Sequence, residues 1–354
     1  MPVFDQGYQH WSGKLSGHTW RWLAITRQGV RIGLKNRYFR IVLLLAWIPA
    51  LLLAMMLCVW GLVERNSDLT VPLLAILKSF FGQQSIAEPK HYRAEVWTIC
   101  YHYFLQAELR FSLLLILLIG PNLISADLRF NALPLYLSRP LRRVDYFLGK
   151  LGVIVALVGL IVIVPAVVAY VLGLLFSLDI TIVKDTYPLL FASILYGLVI
   201  AISAGMLILA LSSLSRNSRY VALFWVGILV IGAVVSNVLE SIDYHERIRA
   251  AYRSGDRPSR ADIAAIQQEL SANNWRPIVS YTANLARIGE TLLGTNKSWE
   301  TLYAWMPPAT RAQFLNNFLG PTYPWYWSAA VLLALLGLSI CILKFKIKSL
   351  DRLK

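Results

Sequence analysis

Three side chains able to hold a metal ion or carry a proton stand together in HYRAEVWTICYHYF: His91, Glu95 and His102. On one continuous helix their i, i+4 and i+11 spacing puts all three on a single face, while Cys100 falls elsewhere. Two imidazoles and one carboxylate could form an outer metal or protonation site, but the spacing matches no familiar zinc pattern. A hydrated helix whose polar face is simply polar accounts for them equally well, and no bound metal is expected.

A second set is basic. LYLSRPLRRVDYFLGK, Leu135 to Lys150, crowds Arg139, Arg142, Arg143 and Lys150 around Pro140 between two long apolar runs. Arginines there can pair with carboxylates or with lipid headgroups, yet neither role calls for Leu135, Tyr136, Leu137 or the proline. Polar uncharged residues also interrupt the apolar runs at Asn122, Ser125, Tyr170, Ser203, Ser236 and Asn237, where helix packing and internal hydrogen bonds are the expected use. A proton or ion relay would need carboxylates in mid-span, and none is read there. Glu108 and Arg110 are placed at the outer headgroup level.

Catalytic patterns are missing from the sequence. It contains no GxSxG, no HExxH and no Walker A, and GTNKS at Gly294 to Ser298 lacks the glycine before lysine that a phosphate loop needs. The chain is therefore not expected to be an enzyme. If ATP drives it, another chain binds the nucleotide.

The elements that must position these residues are set by composition. The chain has 354 residues, 57% hydrophobic and 15% charged. Its mean hydropathy of +0.56 is one that a water-soluble domain of this size does not sustain. An all-α, polytopic membrane protein is expected. Six apolar stretches approach the ~20 helical residues that cross a hydrocarbon core of about 30 Å. They lie near Ile41 to Val63, Tyr103 to Ala126, Phe147 to Ser177, Leu189 to Leu211, Val221 to Leu239 and Trp325 to Phe345. Pro165 should tilt or kink the third rather than divide it. The three cysteines, Cys58, Cys100 and Cys341, form no disulfide framework, and the N-terminus has no secretory-signal pattern.

Charge orients the spans. With the N-terminus cytoplasmic, every short loop on that side is basic, and of the 19 acids only Asp5, Asp127, Asp145 and Asp351 lie there. Orientation and anionic lipid explain the net charge of +15 better than nucleic acid does. The expected domains are a cytoplasmic N-terminus at 1–40, spans one to five at 41–240 with a loop at 127–146, a helical extracytoplasmic segment at 241–324, and span six with a basic tail at 325–354. Within 1–40, Trp20, Leu23, Val30, Leu34 and Tyr38 share a face, which reads as a helix lying in the membrane interface, weakened by Gly29 and Gly33. DLTVPLLAILKSFFG, from Asp68, reads as a second interfacial helix. Ser259 with Asp262 three residues on is a shortened capping box.

The run ISADLRFNALPLYLSRPLRRVDYFLGK resembles the cytoplasmic loop of ABC exporter permeases of the type-2 family. That family's pattern falls here on Asp127, Leu135 to Leu137, Ser138, Arg139, Pro140, Arg143, Tyr146, Gly149 and Lys150. The resemblance implies six spans, an N-terminal interfacial helix and two permease subunits, this chain paired with itself or a homologue. It also implies separate ABC ATPase subunits carrying ATP and Mg²⁺, each docked on a coupling helix formed by Leu135, Tyr136, Leu137, Ser138, Arg139, Pro140, Arg142 and Arg143. Spans two and five line the central interface in relatives, which makes Asn122 and Asn237 the candidates for substrate contact here. The implied location is the prokaryotic plasma (inner) membrane, with both termini cytoplasmic and lipid as a further partner. Two readings follow: an exporter of an amphiphile, a lipid-linked glycan or a drug-like compound, or a subunit that relays ATP-driven motion through its long outer segment to an extracytoplasmic partner.

Overall fold

The computed structural model describes residues 20–66, 68–132, 143–177, 181–253, 274–304 and 323–351, with 259, 262, 263, 265, 266, 269 and 270 between the fourth and fifth of these stretches. Every regular element among them is helical. In chain order these are α1 (Arg21–Lys35), α2 (Arg37–Glu64), a 3-10 turn (Asp68–Leu73) running into α3 (Leu74–Phe81), α4 (Gln83–Ala87) and α5 (Arg93–Arg129). Next come α6 (Arg143–Val158), a π turn (Gly159–Ile163), α7 (Val164–Ser177), α8 (Thr181–Leu214) and α9 (Ser218–Arg253). A second 3-10 turn (Arg276–Val279), α10 (Tyr281–Leu293), α11 (Thr295–Leu302) and α12 (Trp325–Asp351) complete the series.

Six helical stretches among the described residues are long and apolar enough to cross a bilayer: α2, α5, the α6–α7 unit, α8, α9 and α12. Each coincides with one of the expected spans, and the chain is a multi-pass membrane protein. Half or more of the apolar window of α5 and α8 is buried, against less than a quarter for α2, α9 and α12. The second and fourth spans therefore form the centre of the bundle. Their alignment is parallel and in constant register. The Arg93 guanidinium donates to Thr181 Oγ1 at one end, and at the other the Ile124 and Ser125 N–H groups donate to Ser212 Oγ.

Prolines inside these spans are accommodated by local rearrangements. Pro165 cannot donate a backbone hydrogen bond, and just before it the third span widens into the π turn, where the Val164 N–H reaches Gly159 O five residues back. The span continues as one unit, as expected. In α5, Pro121 O accepts from Ser212 Oγ at 2.8 Å and also from Ser125 Oγ, so the serines satisfy groups that the proline disturbs.

Helix α1 packs through a face other than its apolar stripe. The face of α1 that is buried is that of Thr26 and Gly33, while Trp20, Leu23 and Leu34 remain exposed. Gly29 and Gly33, which weaken the helix on paper, let it close against Val153 of α6 and Ile119 of α5. In the long segment after α9, the expected reciprocal cap is present: the Ser259 N–H donates to Asp262 Oδ2 at 2.8 Å and the Asp262 N–H to Ser259 Oγ at 3.2 Å.

The same segment then enters the bundle. Arg276 pairs with Asp243 at 2.6 Å and the Asn274 amide donates to Glu240 at 3.0 Å, which ties its start to the upper part of α9. From there Val279 O comes so near Gly232 that an added Cβ would lie 3.1 Å away. Tyr281 stacks edge-on against Trp225 at 6.2 Å and hydrogen-bonds Ser203 at 3.0 Å. Ser203 stands three turns along α8 from Leu214, about 16 Å, so Tyr281 is near the middle of a core about 30 Å thick. Helix α10 climbs back from that depth between α5, α8, α9 and α12 to Gly294, whose left-handed φ of 69° ends it. This is a re-entrant hairpin within the 241–324 stretch, a feature that the expectation of one helical outer segment does not contain.

Candidate functional site

The most organised polar arrangement at the N-terminal-helix end of the bundle closes the base of the basic loop. Asp127 lies in the last turn of α5, and Tyr146 and Lys150 project from the first turns of α6. The Tyr146 hydroxyl donates to Asp127 Oδ2 at 2.6 Å, and Lys150 Nζ pairs with the same oxygen at 2.7 Å. The ammonium also lies 5.4 Å from the Tyr146 ring centroid. Only 11% of the Lys150 side chain and 15% of that of Asp127 are exposed, so the pair works in a reduced dielectric where each partner depends on the other.

Helix α1 braces this clamp from the side. Thr26 Oγ1 donates to Gly149 O at 3.0 Å, and the glycine is needed because a Cβ there would lie 2.7 Å from Ile25 Cβ. Ser212, at the opposite side of α5, bonds the turn that leads to Asp127. Both ends of the loop are thus fixed to the bundle and to each other. Of the docking set, Leu135, Tyr136, Leu137, Ser138, Arg139, Pro140 and Arg142 lie outside the described residues. Arg143 opens α6.

The other candidates are not brought together. Helix α5 begins at Arg93, which leaves His91 in the preceding turn, exposed and edge-on to Tyr92 at 4.9 Å. The shared helical face expected for the histidine set therefore does not form. His102 Nδ1 lies 3.5 Å from Thr295 Oγ1 of α11. Among the described residues no cluster of three or more His, Cys, Asp or Glu side chains could hold a metal ion. Asn122 is exposed about two turns from the clamp end of α5, whereas Asn237 is exposed more than five turns up α9 from Ser218. The two are separated by well over 10 Å along the bundle axis and share no site within one subunit. Ser125, Tyr170 and Ser203 make internal hydrogen bonds, the role expected of them.

Two buried charged arrangements escape the sequence reading. At the end of the bundle opposite the clamp, Arg93 lies 3.7 Å from Glu64 and 3.8 Å from Asp185, and Ser177 donates to Glu64 at 2.8 Å. Four spans are cross-linked there by one guanidinium and its carboxylates. The second is Glu108. Far from lying at a headgroup level, it is 0% exposed, and neither carboxyl oxygen finds a hydrogen-bond partner among the described residues. Tyr101, two turns earlier on the same face, donates to Ala166 O at 2.8 Å, and the antiparallel packing then brings Glu108 level with the π turn of the third span. The expectation that no carboxylate sits within the spans is corrected by this residue. Its face was readable: Tyr101, Leu105, Glu108 and Ser112 recur at helical spacing, and Arg110 points away from them.

A family model described as ABC-2 family transporter protein matches residues 73–344. No curated protein matches the chain. The matched region takes in the loop, its clamp and the second to fifth spans complete, about three quarters of the sequence. The chain belongs to the ABC-2 transporter family and is the membrane-spanning permease subunit of an ABC transporter.

Proposed function

We propose that this permease is powered by separate ATP-binding subunits docking on Leu135 to Arg143, and that it exports an amphiphilic compound. The observation that carries the reading is the clamp of Asp127, Tyr146 and Lys150 at the base of the loop. A loop that only met lipid headgroups would need no rigid connection between the second and third spans. Leu135, Tyr136 and Leu137 supply an apolar anchor, and Arg139, Arg142 and Arg143 supply charges for a rim of carboxylates. ATP with Mg²⁺ belongs to the partner, whose closure around nucleotide would push the loop and tilt the third span. The basic loop, both termini and α1 then face the cytoplasm of a prokaryotic plasma membrane, as the distribution of lysine and arginine favours. A second permease subunit covers the largely unburied α9, and substrate passes between the two subunits.

The test is co-purification in mild detergent, with identification of the bound chains, followed by ATP-dependent movement of amphiphiles in vesicles. Arg142→Glu combined with Arg143→Glu should release the ATPase and abolish nucleotide-dependent transport. Full binding and turnover in that double variant would refute the docking assignment.

A further inference from the structure

On the side of the bundle where the third, fourth and sixth spans meet, an apolar crevice of about 650 Å³ opens at the clamp end. One wall is a stripe of α6 at i, i+3, i+4 and i+7: Val144, Phe147, Leu148 and Leu151. Met206 of α8 forms the back, and the end of α12 around Cys341 and Lys344 forms the other wall. From Val144 to Leu151 the crevice runs about 10 Å along the helix axis. It closes above, where α6 and α8 touch so tightly that a Cβ on Gly205 would lie 2.8 Å from Leu151 Cδ1. The walls are almost wholly hydrocarbon, and Lys344 is the charged residue that lines them. No carboxylate among the described residues pairs with Lys344. A long cationic side chain at the mouth of a hydrocarbon slot, at the level where the spans end, matches one chemistry: an acyl chain inside and an anionic headgroup on the ammonium.

We infer that this crevice is a binding site for an anionic phospholipid of the leaflet at the clamp end, with one acyl chain between α6 and α12 and its phosphate on Lys344. The site goes beyond the transport role, because it lies on the flank of one subunit formed by spans three, four and six. It stands whether or not the ATPase docks as proposed. Its volume falls within the roughly 300–1,000 Å³ typical of small-molecule sites. Its α6 wall begins directly after the loop, so an occupied crevice limits how far that helix can approach α12.

Cys341 supplies the probe. The full chain with Cys58→Ser and Cys100→Ala is labelled at Cys341 with a benzophenone maleimide, placed in vesicles of equal phosphatidylglycerol and phosphatidylcholine, illuminated and analysed by mass spectrometry. Phosphatidylglycerol adducts should exceed phosphatidylcholine adducts about fivefold, the ratio that one lysine–headgroup contact gives. Lys344→Glu should bring the two to parity with total lipid yield unchanged. Leu148→Trp, a change at a partly exposed wall residue, should fill the slot and lower the yield of both lipids. Equal adducts in the starting protein would mean ordinary surrounding lipid and overturn the inference. So would a preference that survives Lys344→Glu, an unchanged yield in Leu148→Trp, or cross-links to a second protein chain in place of lipid.

Discussion

Lys150 illustrates how one side chain can serve two purposes. It adds to the positive charge that orients the chain, and it neutralises Asp127 at 2.7 Å in a mostly covered setting. Removing one member of such a pair strands the other, at a cost of about 1–3 kcal/mol for a group left unsatisfied. Lys150→Met should therefore leave the ATPase bound, since the docking residues are untouched, while transport falls about tenfold and the thermal midpoint drops. Asp127→Glu keeps the charge and should retain most transport. Equal transport by the Met variant and the wild type would show that the clamp carries no force. Glu108 makes the opposite case. Its two unpartnered oxygens cost stability, so Glu108→Leu should raise the thermal midpoint in detergent, by the equivalent of about 1–3 kcal/mol. A more stable variant with impaired transport would mark Glu108 as a residue kept for function. A less stable one would show that the carboxyl has a bonding partner after all.

At the scale of elements, the six spans are legible because each is an apolar run too long for anything else. The clamp was half legible: Asp127, Tyr146 and Lys150 stand out through the family pattern, but their convergence on one oxygen needs the antiparallel return of α6 beside α5. What the sequence concealed is where amphipathic pieces rest. Helix α1 carries an apolar stripe with Trp20 and Leu23 that suggests an interface, yet its closest packing uses the small residues Thr26, Gly29 and Gly33. Small residues give no hydropathy signal, only permission for close approach. Gly149→Leu tests this element directly. The new side chain would meet Ile25 and the Trp22 carbonyl, an overpacking cost of about 1–3 kcal/mol. We expect α1 to lift away, seen as faster proteolysis of the N-terminal helix, with ATP hydrolysis persisting and transport reduced. Unchanged protection of α1 would contradict the bracing role.

For the molecule as a whole, the re-entrant hairpin fills the bundle between the second, fourth, fifth and sixth spans on the side away from the clamp. Its helix, YTANLARIGETLL, is too polar to register as a membrane element, and its surroundings explain the mismatch: Tyr281 meets Ser203 and Trp225, Asn284 bonds the Ile278 and Ser280 carbonyls, and Arg287 bonds Tyr323 O. Much of this polarity is met by Ser203 of α8, by carbonyls of the hairpin itself and by that of Tyr323 in place of water, which hydropathy along a single chain cannot foresee. Gly289 seals the contact, since a Cβ there would lie 2.8 Å from the Tyr196 ring. Depth gives the decisive test. Val279→Cys and Lys297→Cys, each in a background with the native cysteines replaced, are exposed to a membrane-impermeant thiol reagent from the side opposite the clamp. Lys297 is on the open face of α11 and should label rapidly. Val279, about 20 Å along α9 from its clamp end beside Gly232, should label at least tenfold more slowly. Comparable rates would place the hairpin in water, and the barrier on that side of the permease would then have to be built by the spans alone.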